Sequence, residues 1–226
     1  MRILASLALT IALASAQPSF EVAVVKPSNP TPGPNDRTAS TLNDRFTATG
    51  FTLLNLMILA SQVKDYQIEG GPSWLRTARY DVAAKASRPI TKIESWSMLK
   101  TLLEDRFKLK VRSVTRESRI YTLTLATTGP KIPPSTGPLP GSQTNYRWVL
   151  PHIDIDTFAH RLSRELDRPV IDKTGLAGFY SVTLEWGPDG PSIFTAIEEQ
   201  LGLKLTASKE PIQVLIVESA ERPADQ

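Results

Sequence analysis

Few side chains in this sequence can do chemistry. It has two histidines and no cysteine, which excludes thiol nucleophiles, cysteine-ligated zinc and iron–sulfur clusters. Both histidines share one stretch with two aspartates, His152-x-Asp154-x-Asp156-x3-His160. These are metal-capable side chains, but their spacing argues against a single site. Asp156 and His160 are four apart on a predicted helix and can share a face. His152 precedes that helix, and Asp154 is better placed as its cap. A capped helix with a solvent-facing histidine is the expected arrangement, with no metal. No G-x-S-x-G elbow is present to expose a serine nucleophile. The acidic pairs Glu104-Asp105 and Glu198-Glu199 are adjacent on helix turns, where they form a solvated face rather than an acid and a base with separated pKa values. No catalytic residue and no cofactor is expected.

Binding is better represented. In Gly70-Gly71-Pro72-Ser73-Trp74-Leu75 the glycines permit positive φ or close backbone approach. Trp74 there either stacks on a sugar or other apolar ligand or fills the core beside Leu75. The segment lacks the lysine and helix context of a phosphate-binding P-loop. In Arg168-Pro169-Val170-Ile171-Asp172-Lys173-Thr174-Gly175, Asp172 and Lys173 either bind a polar ligand or shape a turn through local hydrogen bonds. Arg106, Lys108, Arg112 and, between the last two, Lys110 recur at every second residue, alternating with Phe107, Leu109 and Val111. On a strand this makes one basic and one apolar face. It either meets an acidic glycan or anionic surface or is a solvated face that guards the strand against aggregation.

The elements that must position these residues follow from hydrophobic spacing. Phe20–Val25 reads as a strand, and residues 26–37, broken by four prolines, as an arm. Two α+β portions follow, residues 46–126 and 146–220, joined by a proline-rich linker at 127–145. In the first, Phe46-Thr47-Ala48 is a strand, and Thr52 caps a helix from Leu53 to about Val63 with Leu53, Leu56, Met57 and Ala60 on one face. In the second, Trp148-Val149-Leu150 is a strand, and Asp154 caps a helix from Ile155 to Leu166 with Ile155, Phe158, Ala159 and Leu162 on the matching face. Each of these second-portion positions lies 102 residues after its counterpart, and so does Val170 after Ile68. Strands at Tyr80–Ala84 and Phe179–Leu184 come next, followed by helices at Trp96–Arg106 and Ser192–Gln200. Each portion then closes in a strand and a returning hairpin strand, Ile120–Leu125 and Val214–Val217. The predicted unit is β-α-β-β-α-β-β used twice, with helices packed on mainly antiparallel sheets, an α+β class.

At the N-terminus, Arg2, the apolar run Ile3–Leu13 and the small residues Ala14-Ser15-Ala16 form a secretory signal, with cleavage expected before Gln17. The run is too short to span a bilayer, which needs roughly 20 residues, and no later segment is apolar enough. Residues 221–226 are a tail. The formal charge is +3 over 226 residues, and losing Arg2 with the leader leaves +2, too weak to argue for nucleic acid. A cysteine-free exported chain must be held by its core rather than by disulfides.

Several segments in fixed order carry a family resemblance: FEVAVVKPS (20–28), GGPSWL (70–75), YDVAAKA (80–86), LLEDRFKLKVRSVTRE (102–117), RPVIDKTGLAGFYSVTLEW (168–186), FTAIEEQLGLKL (194–205) and VLIVESAERP (214–223). Over nearly the whole exported chain the sequence resembles the soil-associated DUF3738-type proteins, abundant as paralogues in Acidobacteria. The resemblance implies export and fold but no assigned chemistry. Related domains adjoin BlaR-like membrane peptidase regions, which implies an extracytoplasmic sensing or binding role. Each half also resembles the small N-terminal domain of secretins and TonB-dependent receptors. The expected function is a periplasmic or secreted, non-catalytic binding or sensing module whose partner is an envelope protein, a glycan or an anionic surface. The alternatives are a secreted hydrolase of envelope or environmental polymers and a purely structural envelope protein.

Overall fold

The computed structural model describes residues 17–28 and 37–223. The leader at 1–16, most of the proline-rich arm and the end of the tail lie outside the described residues. The described chain divides into two compact units. One holds the residues up to Arg112 together with those from Leu215 onward; the other is Ser113–Val214.

In the first unit β1 (Val22–Pro27), β2 (Thr38–Leu42), β3 (Arg45–Thr52) and β5 (Arg79–Lys85) form an antiparallel sheet in the order β1-β5-β3-β2. Alternation puts Phe46 and Ala48 of β3, and Tyr80, Val82 and Ala84 of β5, on the buried face. Helices α1 (Leu53–Ser61) and α2 (Lys92–Arg106) pack against each other. Thr52 Oγ1 accepts from Asn55 N–H at 3.2 Å to start α1. Helix α2 starts earlier than the apolar spacing predicts, because Thr91 and Glu94 form a reciprocal capping box. The core joins Leu53, Leu56, Met57, Leu75, Leu99, Leu103 and Phe107 to the sheet.

Between these elements lies the short strand β4 (Ile68–Gly70), which pairs in parallel with the end of β11 (Leu203–Ser219) from Leu215 to Val217. The two glycines expected to permit close approach do so. Gly70 has φ 74°, and a Cβ there would lie 2.9 Å from the Val217 carbonyl oxygen.

The second unit holds β8 (Arg147–Ile153) between β7 (Ser142–Gln143) and β10 (Tyr180–Glu185), an antiparallel sheet. It also holds helices α3 (Ile155–Glu165) and α4 (Ile193–Leu201). Asp154 caps α3, its Oδ1 accepting from Thr157 N–H at 2.8 Å. Strand β9 (Val170–Asp172) pairs in parallel with β6 (Lys110–Leu125) at Tyr121–Leu123. The core gathers Trp148, Phe158, Leu162, Val182, Leu184, Ile197 and Leu203. Gly202 ends α4 in the left-handed region, and a Cβ there would collide with the Gly129 carbonyl oxygen.

The fold is α+β with mostly antiparallel sheets, and the order strand-helix-strand-strand-helix-strand occurs twice along the chain. It differs from expectation in three places. The two hairpins are absent, since β6 and β11 each run on as one long strand. Residues 111–118 contain no glycine, proline or asparagine to turn the chain. The basic alternation does not lie on one strand: β6 begins only at Lys110, Arg106 is the last residue of α2, and Lys108 sits between them at φ 46°. Finally, the proline-rich stretch is not a free segment but is docked onto the second unit. Ile132 is buried, Ser181 N–H donates to the Pro133 carbonyl at 2.9 Å, and Lys131 N–H donates to the Leu201 carbonyl at 2.8 Å. Proline lacks an N–H, but its carbonyl still accepts.

Candidate functional site

Arg106 closes the last turn of α2, where a cation complements the helix dipole. Its Nη2 donates to the Ala23 carbonyl of β1 at 3.2 Å, and its Nε lies 3.4 Å from Asp105 Oδ2. Two residues on, the left-handed backbone of Lys108 turns its exposed side chain to the same carboxylate, with Nζ 3.7 Å from Asp105 Oδ1. Buried Phe107 and Leu109 flank Lys108 and anchor this turn. The third cation comes from the tail. Glu221 N–H donates to the Phe107 carbonyl at 2.7 Å, which brings Arg222 over the Trp74 ring at 5.6 Å. Such a cation–π contact contributes about 0.5–1 kcal/mol at an exposed site.

Together these residues border a cleft of about 280 Å³ lined by Val25, Asp105, Arg106, Lys108, Glu221 and Arg222. Three cations against two carboxylates leave one positive charge. A neighbouring hollow of about 330 Å³ shares Asp105 and Arg106 and extends along β1 past Phe20 and Val22. Beneath Arg222, Trp74 stacks on Phe107 with centroids 6.4 Å apart, and Tyr80 meets Phe107 edge-on at 5.0 Å. Burial raises the Tyr80 phenol above its ordinary range, and the Arg222 charge opposes that shift.

The structure thus gathers Trp74, Arg106 and Lys108 around one feature of the first unit. It does not bring the other expected site residues there. Lys110 and Arg112 continue along β6, where Arg112 Nε bonds to Glu218 Oε1 at 3.1 Å. Asp172 and Lys173 belong to the second unit. Asp172 Oδ1 accepts from both the N–H and the Oγ1–H of Thr174 at 2.8 Å, and Lys173 pairs with Glu210. Asp172 therefore shapes its turn. Arg222 and Glu221 were not singled out from the sequence. They reach the cleft only because the tail folds back beside Phe107, and no local pattern marks such a long-range contact.

The histidine-rich stretch also resolves. The exposed His152 ring stacks on Phe179 at 4.1 Å, and its Nδ1 lies 2.9 Å from Ser135 Oγ. That hydroxyl donates to the Pro151 carbonyl at 2.7 Å and accepts from Gly137 N–H at 3.1 Å. These bonds tie His152, Pro151 and Gly137 together through Ser135 and fix the loop there. Asp154 is occupied as the cap of α3. Among the described residues no group of three or more histidines and carboxylates is placed to hold a metal ion, and no helix is long and apolar enough to cross a membrane.

No curated protein and no solved structure matches the chain significantly. The sequence pattern of a family described as "Protein of unknown function (DUF3738)" matches residues 54–220. That span takes in all of the second unit and the first unit from Leu54 on, with Trp74, Arg106 and Lys108 but not β1–β3, Glu221 or Arg222, and the chain therefore belongs to the DUF3738 family.

Proposed function

We propose that this chain is an exported, non-catalytic binding or sensing module, and that its first-unit cleft takes an anionic group carried by an envelope protein, a glycan or an anionic surface. The observation that carries this reading is the convergence of Arg106, Lys108 and Arg222, from a helix end, a strained turn and the tail, on one cleft. Guanidinium and ammonium groups hold carboxylates, sulfates and phosphates through charge-assisted hydrogen bonds. The described lining includes no hydroxyl, thiol or imidazole side chain. Location outside the cytoplasm rests on the apolar leader ending in Ala14-Ser15-Ala16. The repeated element order, with helix caps at Thr52 and Asp154, further supports reading the chain as two diverged copies of one scaffold.

The test is retention of material from envelope extract by the immobilised chain, compared with a Lys108→Glu/Arg222→Glu variant. The wild type retains a partner in low salt and releases it as salt rises, and the variant retains little. Retention of nothing above control, or equal retention by both proteins, contradicts the reading.

A further inference from the structure

The second unit holds a recess of about 600 Å³ unrelated to the basic cleft, lined chiefly by Tyr146, Glu185, Trp186, Pro188, Asp189 and Pro191. The sequence Trp186-Gly187-Pro188-Asp189-Gly190-Pro191 closes on itself there, Gly187 N–H donating to the Pro191 carbonyl at 3.3 Å and Gly190 N–H to the Gly187 carbonyl at 3.2 Å. Tyr146 is 51% exposed, and its ring lies directly on Gly187, where an added Cβ would stand 3.3 Å from the tyrosine Cγ. Trp186 is braced edge-on against the buried Trp148 at 5.1 Å and donates its backbone N–H to the Tyr146 carbonyl at 2.9 Å. Gln200 fixes the wall by bonding both backbone groups of Glu185, at 2.7 and 2.9 Å. The aromatic surfaces are thus held in place before any ligand arrives, which lowers the ordering cost of binding.

The polar groups define what would fit. Arg147 lies 3.5 Å from Glu185 and offsets its charge. The Asp189 carboxylate and the Tyr146 hydroxyl have no partner among the described residues. A ligand must therefore offer a flat apolar face to the rings and hydroxyl donors to a carboxylate that accepts only. A pyranose ring does both, with its C–H face on the aromatic surface and its hydroxyls on Asp189. We propose that the recess formed by Tyr146, Trp186 and Asp189 is a saccharide-binding site, independent of the anion cleft.

The test is titration of the purified chain with cellohexaose, chitohexaose and mannohexaose, followed by tryptophan fluorescence and by saturation-transfer NMR. At least one hexasaccharide should bind saturably with a Kd below about 10 mM, and Tyr146→Ala should weaken it by about tenfold or more. Asp189→Asn, an exposed and near-isosteric change, should weaken the same sugar while the melting temperature stays put. Lys108→Glu should leave sugar binding intact, so loss of the anion site is distinguishable. The site is overturned by no saturable binding, by binding that both recess variants leave unchanged, or by tighter binding of tetramethylammonium or a polyproline peptide than of any hexasaccharide.

Discussion

Lys108 keeps its backbone at φ 46°, a conformation that costs a side-chain-bearing residue about 1–2 kcal/mol relative to the right-handed region. Its neighbours Phe107 and Leu109 are buried and anchor the turn on both sides. Glycine would relieve this strain, at some cost in unfolded-chain entropy. Lys108→Gly should leave stability to urea unchanged or raise it by up to about 1 kcal/mol, while weakening retention of the envelope partner. A variant that loses both would show that the lysine serves packing rather than recognition. The same neighbourhood sets the ionisation of Tyr80. Because burial holds its folded pKa above the ordinary value of 10.0, the unfolded chain ionises first as pH rises. The contribution is intact below pH 10 and is lost above it. Phenolate absorbance of the wild type minus that of Tyr80→Phe should place Tyr80 above 10.0, and Arg222→Gln should push it higher, since the opposing charge is gone. An unchanged midpoint in the Arg222 variant would place that guanidinium away from the aromatic cluster.

Among the elements, α2 carries the cleft, because its last residue is Arg106. Its first turn is fixed by Glu94, which accepts from Thr91 N–H at 2.8 Å and from Arg88 Nη2 at 2.5 Å. The Arg88 bond first, then the two Thr91 bonds, hold the Glu94 carboxyl down at about 2 against its ordinary 4.5. A depressed carboxyl stabilises fully above its unfolded value and loses that contribution as pH falls through the folded one. The stability gap between wild type and Glu94→Gln should therefore close between about pH 4.5 and about pH 2. A gap that persists undiminished at pH 2 would contradict the capping box. The four helices were legible in the sequence, and so were the caps Thr52 and Asp154, which precede apolar residues at helical spacing; the Thr91 cap of α2 was not. The ends of β6 and β11 were not, because a β-rich run continues or turns according to its partner strand, which lies far away in sequence. Strands β2 and β7 were missed for a related reason: both are short and exposed, and pairing with β3 and β8 defines them. The candidate site was half legible. Arg106 and Lys108 stood out by their charge, although the helix end and left-handed turn, not a strand face, bring them together.

For the molecule as a whole, each unit has a buried apolar cluster built from its own residues. Each unit carries its own candidate surface, basic in the first and aromatic with carboxylates in the second. With no cysteine, no disulfide ties either core together, so the cleft geometry is held by apolar packing and by the hydrogen bonds of Arg106 to Ala23 and Glu221 to Phe107. The family match covers the second unit and most of the first, leaves out β1–β3 and Arg222, and assigns no ligand. The claim on which the functional account turns is that an anionic partner is held between β1, the end of α2 and the tail. Hydrogen–deuterium exchange of the chain, with and without the material it retains from envelope extract, tests this most directly. The account predicts slowed exchange confined to the backbone around Val25, Lys108 and Arg222, and its disappearance in Lys108→Glu/Arg222→Glu. Protection elsewhere with none at these three places would contradict it.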